Sequence, residues 1–154
     1  IMWLKIVRFL SLFLVALGLA PGMAHALELP NKINLSAEEY LTVQQIYRGW
    51  ALLGIVEVAA LLATLALTLM TRKQKGVFAW SLLAFLCVTA NLIIFFSFTF
   101  PVNQQTNNWT VLPDNWQALR NQWEYSHAVN AGLYLIALIA LILSLLVRQD
   151  YKRS

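Results

Sequence analysis

Long apolar stretches alternate with short polar segments along the whole chain. The apolar stretches cover residues 9–27, 50–70, 77–100 and 128–147. A helix needs roughly 20 apolar residues to cross a bilayer, and each stretch is close to that length or exceeds it. The pattern therefore predicts an all-α fold, an integral membrane up-and-down four-helix bundle that forms a single transmembrane domain over residues 1–154.

Signals at the ends of these stretches extend two of the helices beyond the membrane. Ser36 and Glu39 fit a capping box, and no glycine or proline follows until Gly49. A helix over 36–70 would measure about 50 Å, against ~30 Å for the hydrocarbon core. With Asp114 as the expected cap of the fourth helix, helices two and four are both expected to project into the periplasm. The expected helices cover about 4–27, 36–70, 77–100 and 115–148, with a periplasmic loop at 101–113.

The charge distribution predicts the orientation of the bundle. The chain is 60% hydrophobic and 12% charged, and its net charge is +4. Eight of its eleven basic residues fall near the two ends of the chain or in the 71–75 turn. The positive-inside rule places both termini and this turn in the cytoplasm, as in a multi-pass protein of the inner (plasma) membrane. This bias explains the positive charge, so the charge does not indicate a nucleic-acid partner.

The first apolar stretch also resembles a secretory signal peptide. Lys5 and Arg8 precede an apolar run over residues 9–20, and Ala24-His25-Ala26 matches an A-x-A cleavage signature. A cleaved leader is therefore one interpretation. We favour a retained helix, because His25 and Glu28 belong to a group of polar residues that has meaning only if this segment stays.

Polar residues are concentrated in the periplasmic half of the predicted bundle. All four helices contribute to this group, whereas the cytoplasmic half contributes almost nothing. Ionisable side chains are costly in lipid, so they usually face the interior of a bundle and mark a functional site. The group consists of His25, Glu28, Glu57, Asn91, Glu124 and His127.

The spacing of these residues is typical of a metal site. His25 and Glu28, like Glu124 and His127, are separated by three positions, which places each imidazole and carboxylate on one helix face. Helical bundles build metal sites from such pairs, and Glu57 would be a third carboxylate. The five residues predict one transition-metal ion, with a haem between the two histidines as a less natural alternative. The structural interpretation is an interfacial network in which Arg48 and Arg120 neutralise the acids.

A second pattern runs along the fourth helix. Its members recur at steps of three and four, so they form one stripe: Trp116, Arg120, Trp123, His127, Asn130 and Tyr134. An aromatic and basic stripe of this kind is suited to a planar, anionic or phenolic ligand, with Asn91 and Asn103 as further ligand-binding candidates. The outer tryptophans are equally typical of an ordinary membrane-interface belt. His127 is the strongest functional candidate.

Three segments resemble the anthrone-oxygenase-like family of small four-helix membrane proteins, most of them of unknown function. The segments are GMAHALELPNK at 22–32, YLTVQQIYRGW at 40–50, and the region from Pro101 to Asn130. The resemblance implies oxidation of an anthrone to an anthraquinone without an added organic cofactor. The substrate carbon would lose a proton to a base and then react with oxygen, and His127 or Glu124 would be that catalytic base.

Three functions are consistent with the sequence. The first is an oxygenase or oxidoreductase that acts on a lipophilic aromatic or quinone-like substrate taken from the bilayer. The second is a metal- or haem-binding membrane protein. The third is a non-catalytic accessory subunit that associates laterally with other membrane subunits, its polar cluster being structural; small residues in 59–66 would favour such packing.

Overall fold

Helices make up nearly all of the computed structural model, which describes residues 2–147. A π-helical segment (Phe95–Thr99) and two short 3₁₀ turns, Gln45–Tyr47 and Trp50–Leu53, interrupt the α-helices. The α-helices are α1 (Met2–Lys32), α2 (Ala37–Gln44), α3 (Gly54–Thr71), α4 (Lys75–Ile94), α5 (Phe100–Gln105) and α6 (Trp116–Leu146). The described part of the chain contains no strand, and the predicted all-α class is confirmed.

Four helical segments are long and apolar enough to cross a membrane, so the chain is a multi-pass membrane protein. They are Met2–Lys32, Trp50–Thr71, Lys75–Gln105 and Trp116–Leu146. Helix α1 packs against α3 and α6, and α4 packs against the same two helices, which closes a four-membered ring. The basic residues that follow Val147, which contributed to the predicted orientation, lie outside the described residues.

The interior of the ring is built from small and apolar side chains. Val15, Ala60, Ala84 and Ala137 are fully buried, whereas large apolar residues such as Ile93 face outward. An apolar exterior suits lipid, where the hydrophobic effect does not distinguish the inside from the outside of a bundle. Small residues let the helices approach closely, and close packing then supplies the attraction between them.

The predicted continuous helix over 36–70 is wrong. The capping box itself is present. The hydroxyl oxygen of Ser36 accepts a hydrogen bond from the backbone N–H of Glu39, and the carboxylate of Glu39 accepts one from the backbone N–H of Ser36. The α-helix nevertheless ends at Gln44 and resumes only at Gly54. Gly49 lies in the left-handed region with φ of 89°, which an α-helix cannot contain and which glycine adopts without a steric cost.

Helix boundaries elsewhere also differ from the prediction. Helix α1 continues to Lys32 despite Pro21 and Pro30, because membrane helices tolerate proline where neighbouring groups satisfy the freed carbonyls. The third span likewise passes through Pro101 to Gln105, so the expected loop at 101–113 begins at Thr106.

Two local features lie near the ends of that loop. The π-helical segment directly before Pro101 widens the helix, and the carbonyl of Phe98 in this segment accepts a hydrogen bond of 2.9 Å from the Gln122 amide. Asp114 does not cap α6, because that helix begins at Trp116 and its N-cap is Asn115, without a side-chain hydrogen bond. The extension of α2 and of the start of α6 into the periplasm stays a prediction.

A substitution of Gly18 is expected to destabilise the bundle. A Cβ atom at this position would clash with Cε1 of Tyr134, whose buried ring is held by a hydrogen bond from its hydroxyl to Glu57. Overpacking of this kind costs about 1–3 kcal/mol, which we expect for Gly18→Ala in equilibrium unfolding in detergent. Gly132→Ala is the control: no atom lies within 4 Å of its new Cβ, so stability should stay equal or rise. Equal stability of both variants would contradict the close α1–α6 contact.

Candidate functional site

The two histidines of the chain lie face to face between α1 and α6. The ring centroids of His25 and His127 are 4.1 Å apart, with an interplanar angle of 26°. His25 is buried and His127 is half-buried. The Nδ1 atom of His25 is buried without a hydrogen-bond partner. The structure thus brings together the two imidazoles that the sequence singled out on different helices.

Aromatic side chains surround this histidine pair. The Trp123 ring lies 4.2 Å from that of His127 and 5.0 Å from that of His25, measured between centroids. Tyr47 and Trp50 also contact His25, with ring centroids at 4.4 Å and 5.5 Å. Both of these residues come from the irregular segment between α2 and α3, so the break in the predicted helix builds one wall of the site.

A buried ion pair lies one turn of α6 away from His127. The ammonium of Lys32 is 2.9 Å from Oε1 of Glu124, and the side-chain exposures are 4% and 0%. The same oxygen accepts a hydrogen bond of 2.8 Å from the hydroxyl of Tyr40. The other carboxylate oxygen, Oε2, is buried and has no partner. The pair joins the end of α1 to α6, and Tyr40 attaches α2 to it.

Lys32 also connects this pair to the surface. Its ammonium donates a 2.7 Å hydrogen bond to the hydroxyl of Tyr47, which in turn donates to the carboxylate of Glu28. The side chain of Glu28 is 36% exposed. The ammonium lies over two aromatic rings as well, 4.5 Å from the centroid of Tyr47 and 5.1 Å from that of Trp123. Cation–π contacts of this geometry help to offset the desolvation of the charge.

Lys32 is the functional residue that the sequence analysis missed. The expected neutralising cations were Arg48 and Arg120, and this expectation is wrong within the described residues, where both ion pairs involve Lys32. Arg120 instead donates to the carbonyl of Leu35 at 2.8 Å, and exposed Arg48 donates to Gln45. A signal was present: Lys32 lies four positions after Glu28 and seven after His25, so a helix extended beyond residue 27 brings it near the same face.

Glu57 does not join the other acids. Its Oε2 atom accepts hydrogen bonds from the amide of Asn91 at 2.6 Å and from the hydroxyl of Tyr134 at 2.7 Å. Among residues 2–147, no three histidine, cysteine, aspartate or glutamate side chains form a group that could hold a metal ion. The predicted set of His25, Glu28, Glu57, Glu124 and His127 is therefore divided: the histidines stack on each other, Lys32 engages Glu28 and Glu124, and Glu57 belongs to a separate polar cluster.

The remaining ligand-binding candidates line the same side of α6. The indole N–H of Trp123 donates to Oδ1 of Asn103 at 2.8 Å, which ties α6 to α5. The guanidinium of Arg120 lies 4.7 Å from the ring centroid of Trp116. Asn130 is buried, and its Oδ1 atom has no hydrogen-bond partner. Most of the predicted stripe therefore points inward, and its polar atoms bond mainly to other elements of the bundle.

Buried polar atoms without partners mark where the site could receive a ligand or water. Native proteins satisfy the large majority of such atoms, so each exception needs an explanation. Those in this region include Nδ1 of His25, Nε of Arg120, Oε2 of Glu124 and Oδ1 of Asn130. Chemically, the site combines imidazoles that accept protons, a carboxylate held by an ammonium, and aromatic faces suited to a flat ligand.

No protein-family model, curated protein or solved structure matches this chain. The resemblance to anthrone-oxygenase-like proteins therefore stays a prediction. Any function has to be inferred from the residues described above.

The stability of the protein is expected to depend on the Tyr40 phenol at alkaline pH. Burial, and then the adjacent Glu124 carboxylate, raise the pKa of Tyr40 above its usual value. The unfolded chain therefore loses this proton above a pH of about 10 while the folded chain keeps it. The stabilising contribution is complete below that pH and is lost as the pH rises, with a slope of about 1.4 kcal/mol per pH unit.

Denaturant unfolding across the alkaline range measures this slope. Tyr40→Phe should flatten the alkaline fall in stability by about that amount. Leu41→Ala is the control, because it truncates a half-exposed neighbour without removing a phenol, so its slope should match that of the unaltered protein. An unchanged slope in Tyr40→Phe would contradict the burial of this hydroxyl against Glu124.

Proposed function

We propose that the chain is an inner-membrane enzyme of the anthrone-oxygenase-like type, which oxidises a lipophilic phenolic aromatic compound taken from the outer leaflet. The observation that carries this proposal is the stacked His25–His127 pair, enclosed by Tyr47, Trp50 and Trp123. Two imidazoles within an aromatic enclosure supply both a base and stacking surfaces for a planar substrate.

His127 is the proposed catalytic base. As a residue it is half-buried, so it is less enclosed than a fully buried side chain. Glu124, the other candidate, is fully buried and already holds Lys32 and Tyr40 on one oxygen. This makes Glu124 the better positioning residue, because its charge holds the ammonium and the phenol in place beside the histidines.

The reaction is balanced without an added electron donor. His127 removes one proton from a methylene carbon that two aromatic rings activate, and the resulting carbanion transfers its electrons to dioxygen. Dioxygen bonds to that carbon, and the resulting peroxide anion takes up a proton to give a hydroperoxide. The hydroperoxide then loses its remaining C–H hydrogen and its terminal OH as water, so that CH₂ and O₂ become C=O and H₂O. Removal of the first proton is the step that a positioned base accelerates, typically by 10²–10⁴-fold.

Substrate entry requires the aromatic enclosure to open. Two surface depressions of about 350 and 570 Å³ are lined by neither His25 nor His127. The irregular segment between α2 and α3 carries Tyr47 and Trp50, and it turns at Gly49, whose left-handed backbone interrupts the helix. Loop residues of this kind can absorb the backbone change of a closing or opening motion. We therefore assign the entrance to this segment.

The proposed location follows from charge and site position together. Lys5, Arg8 and the 71–75 turn lie at the end of the bundle opposite to the histidines, and the positive-inside rule places that end in the cytoplasm. Both termini are then cytoplasmic. The histidine site opens toward the periplasmic leaflet, and α2 and the first turns of α6 extend beyond it.

A second candidate function is that of an accessory subunit in a larger membrane complex. The favouring observation is a groove of about 570 Å³ on the outward face of the second span. Its lining combines small residues, such as Gly54 and Ala59, with the larger Ile55, Val58 and Leu62. Small residues on a lipid-facing surface let a further helix approach closely.

Oxygen uptake by the reconstituted protein tests the enzyme proposal. With an anthrone as substrate, anthraquinone formation and oxygen consumption should proceed in a one-to-one ratio. His127→Gln should lower the rate by about 10²-fold or more, because it removes the base but keeps a polar side chain of similar size. Gln117→Ala is the control, since Gln117 is exposed on α6 outside the site, and its rate should be unchanged.

The alternatives give different results in the same preparation. Absence of turnover by a folded wild-type protein would contradict the enzyme proposal and favour the accessory subunit. Equal rates for His127→Gln and the unaltered protein would remove His127 from the mechanism. Elemental analysis tests the metal interpretation separately, because stoichiometric transition metal that is lost in His127→Gln would assign the histidines to a metal site instead.

A further inference from the structure

Glu57 forms a polar cluster with partners from two other helices. It lies in the first turns of α3, Asn91 in the last turns of α4, and Tyr134 near the middle of α6. Both partners donate to the same carboxylate oxygen, Oε2, at 2.6 Å and 2.7 Å. The other oxygen, Oε1, is thereby left as the position for a proton.

No cation of the described chain neutralises this carboxyl group. Within residues 2–147 the ion pairs are Lys32–Glu28 and Lys32–Glu124, and neither includes Glu57. An ionised carboxylate within a membrane span is costly and calls for a partner. Asn91 and Tyr134 are neutral donors, so they stabilise the charge without cancelling it. Two influences on the carboxyl group therefore oppose each other: lipid favours its neutral form, and its two hydrogen-bond donors favour its ionised form.

Close packing limits the movement of the Tyr134 side chain in this cluster. Gly18 of α1 approaches the Tyr134 ring so closely that no Cβ fits between them, which fixes the hydroxyl beside Glu57. Asn91 is buried and lies one turn before the π-helical segment Phe95–Thr99. Interruptions of this kind occur frequently at functional sites in α-helices.

We propose that Glu57 is a proton-binding site within the membrane, independent of the histidine site, that takes up and releases its proton at Oε1 while Asn91 and Tyr134 hold Oε2. The ligand is a proton, and the bound form is the neutral carboxylic acid. Glu57 is half-buried, so part of this residue is exposed at the surface of the bundle, beside the exposed side chains of Ile55 and Val58.

Other titratable groups on the surrounding helices lie further along each helix. His127 is about two turns from Tyr134, and Cys87 is about one turn from Asn91. On α1, His25 is about two turns from Gly18, which contacts Tyr134. Lys32 and Glu124 form an ion pair with each other. The immediate contacts of the carboxyl group are thus Asn91 and Tyr134, and these two side chains are the ones to vary in a test.

A hydrophobic carbodiimide detects a neutral carboxyl group in the membrane. The acid proton moves to one nitrogen of dicyclohexylcarbodiimide and the carboxyl oxygen bonds to its central carbon. The acyl group then migrates to the nitrogen, giving a stable N-acylurea without a leaving group. Mass spectrometry of the full chain in liposomes should locate one reagent molecule on Glu57, with labelling that falls as the pH rises.

Variants separate the proposal from nonspecific labelling. Glu57→Gln should lose the label, whereas Glu38→Gln, which alters an exposed carboxylate of α2, should keep it. Tyr134→Phe removes one donor to the ionised form, so the pH of half-maximal labelling should rise by up to about one unit. Glu57→Gln retains an oxygen that can accept hydrogen bonds from both Asn91 and Tyr134. The unfolding midpoint of this variant in detergent should therefore remain within a few degrees of the wild-type value.

Three results would overturn the proposal. These are labelling of Glu57 only after denaturation, equal labelling of the Glu57→Gln variant, and a reaction on Glu57 that does not change with pH. Anthrone oxidation plays no part in this measurement. A failure here therefore leaves the histidine proposal standing, and an inactive enzyme leaves this proposal standing.

Discussion

The buried ion pair between Lys32 and Glu124 is the interaction on which the outer half of the structure depends. Removing two charges from water costs several kcal/mol per ion, and the mutual attraction offsets this only with good geometry and further hydrogen bonds. The chain supplies these from separate elements: Tyr40 donates to the carboxylate, and Tyr47 accepts from the ammonium. Helix α1, α2, the irregular segment and α6 are therefore all fixed at one point.

The histidine site follows from that arrangement. Lys32 can reach Glu124 because α1 continues past Pro30, about two turns beyond His25, which lies against His127. The Tyr47 hydroxyl can accept a hydrogen bond from the Lys32 ammonium because the α-helix ends at Gln44. The same break in the helix brings Trp50 to His25. The charge pair and the aromatic enclosure are thus consequences of the same two departures from simple helical geometry. One oxygen of the Glu124 carboxylate, Oε2, has no hydrogen-bond partner in this arrangement.

Hydrophobic pattern and charge predict the class of this fold well, because lipid forces any membrane span of this composition to be helical. The capping box at Ser36 was also correct, since it depends on residues three apart. The break at Gly49 was missed because a single glycine within an apolar run does not by itself end a helix. Continuation through Pro30 and Pro101 was missed because soluble helices stop there, whereas a bundle in lipid satisfies the freed carbonyls with neighbouring groups.

The candidate site was predictable in part for the same reasons. Helical spacing identifies which residues share a face, so the inward stripe of α6 and the meeting of His25 with His127 followed from the sequence. Which cation pairs with which acid depends on where helices end and how they pack. The assignment of Arg48 and Arg120 therefore failed, and Glu57, expected to join the other acids, bonds to Asn91 and Tyr134 instead.

The most direct test of the central role of the ion pair is a double-mutant cycle on Lys32 and Glu124, read out by equilibrium unfolding in detergent. Lys32→Met and Glu124→Leu should each lower stability by about 3–5 kcal/mol. The first leaves the buried Glu124 without a counter-ion, and the second leaves the buried ammonium of Lys32 with only the partly exposed Glu28 at 3.7 Å. The double variant should lose clearly less than the sum of the two single losses, by an interaction energy of about 1–3 kcal/mol. Additive losses, with no interaction energy, would contradict a pair that organises this half of the protein.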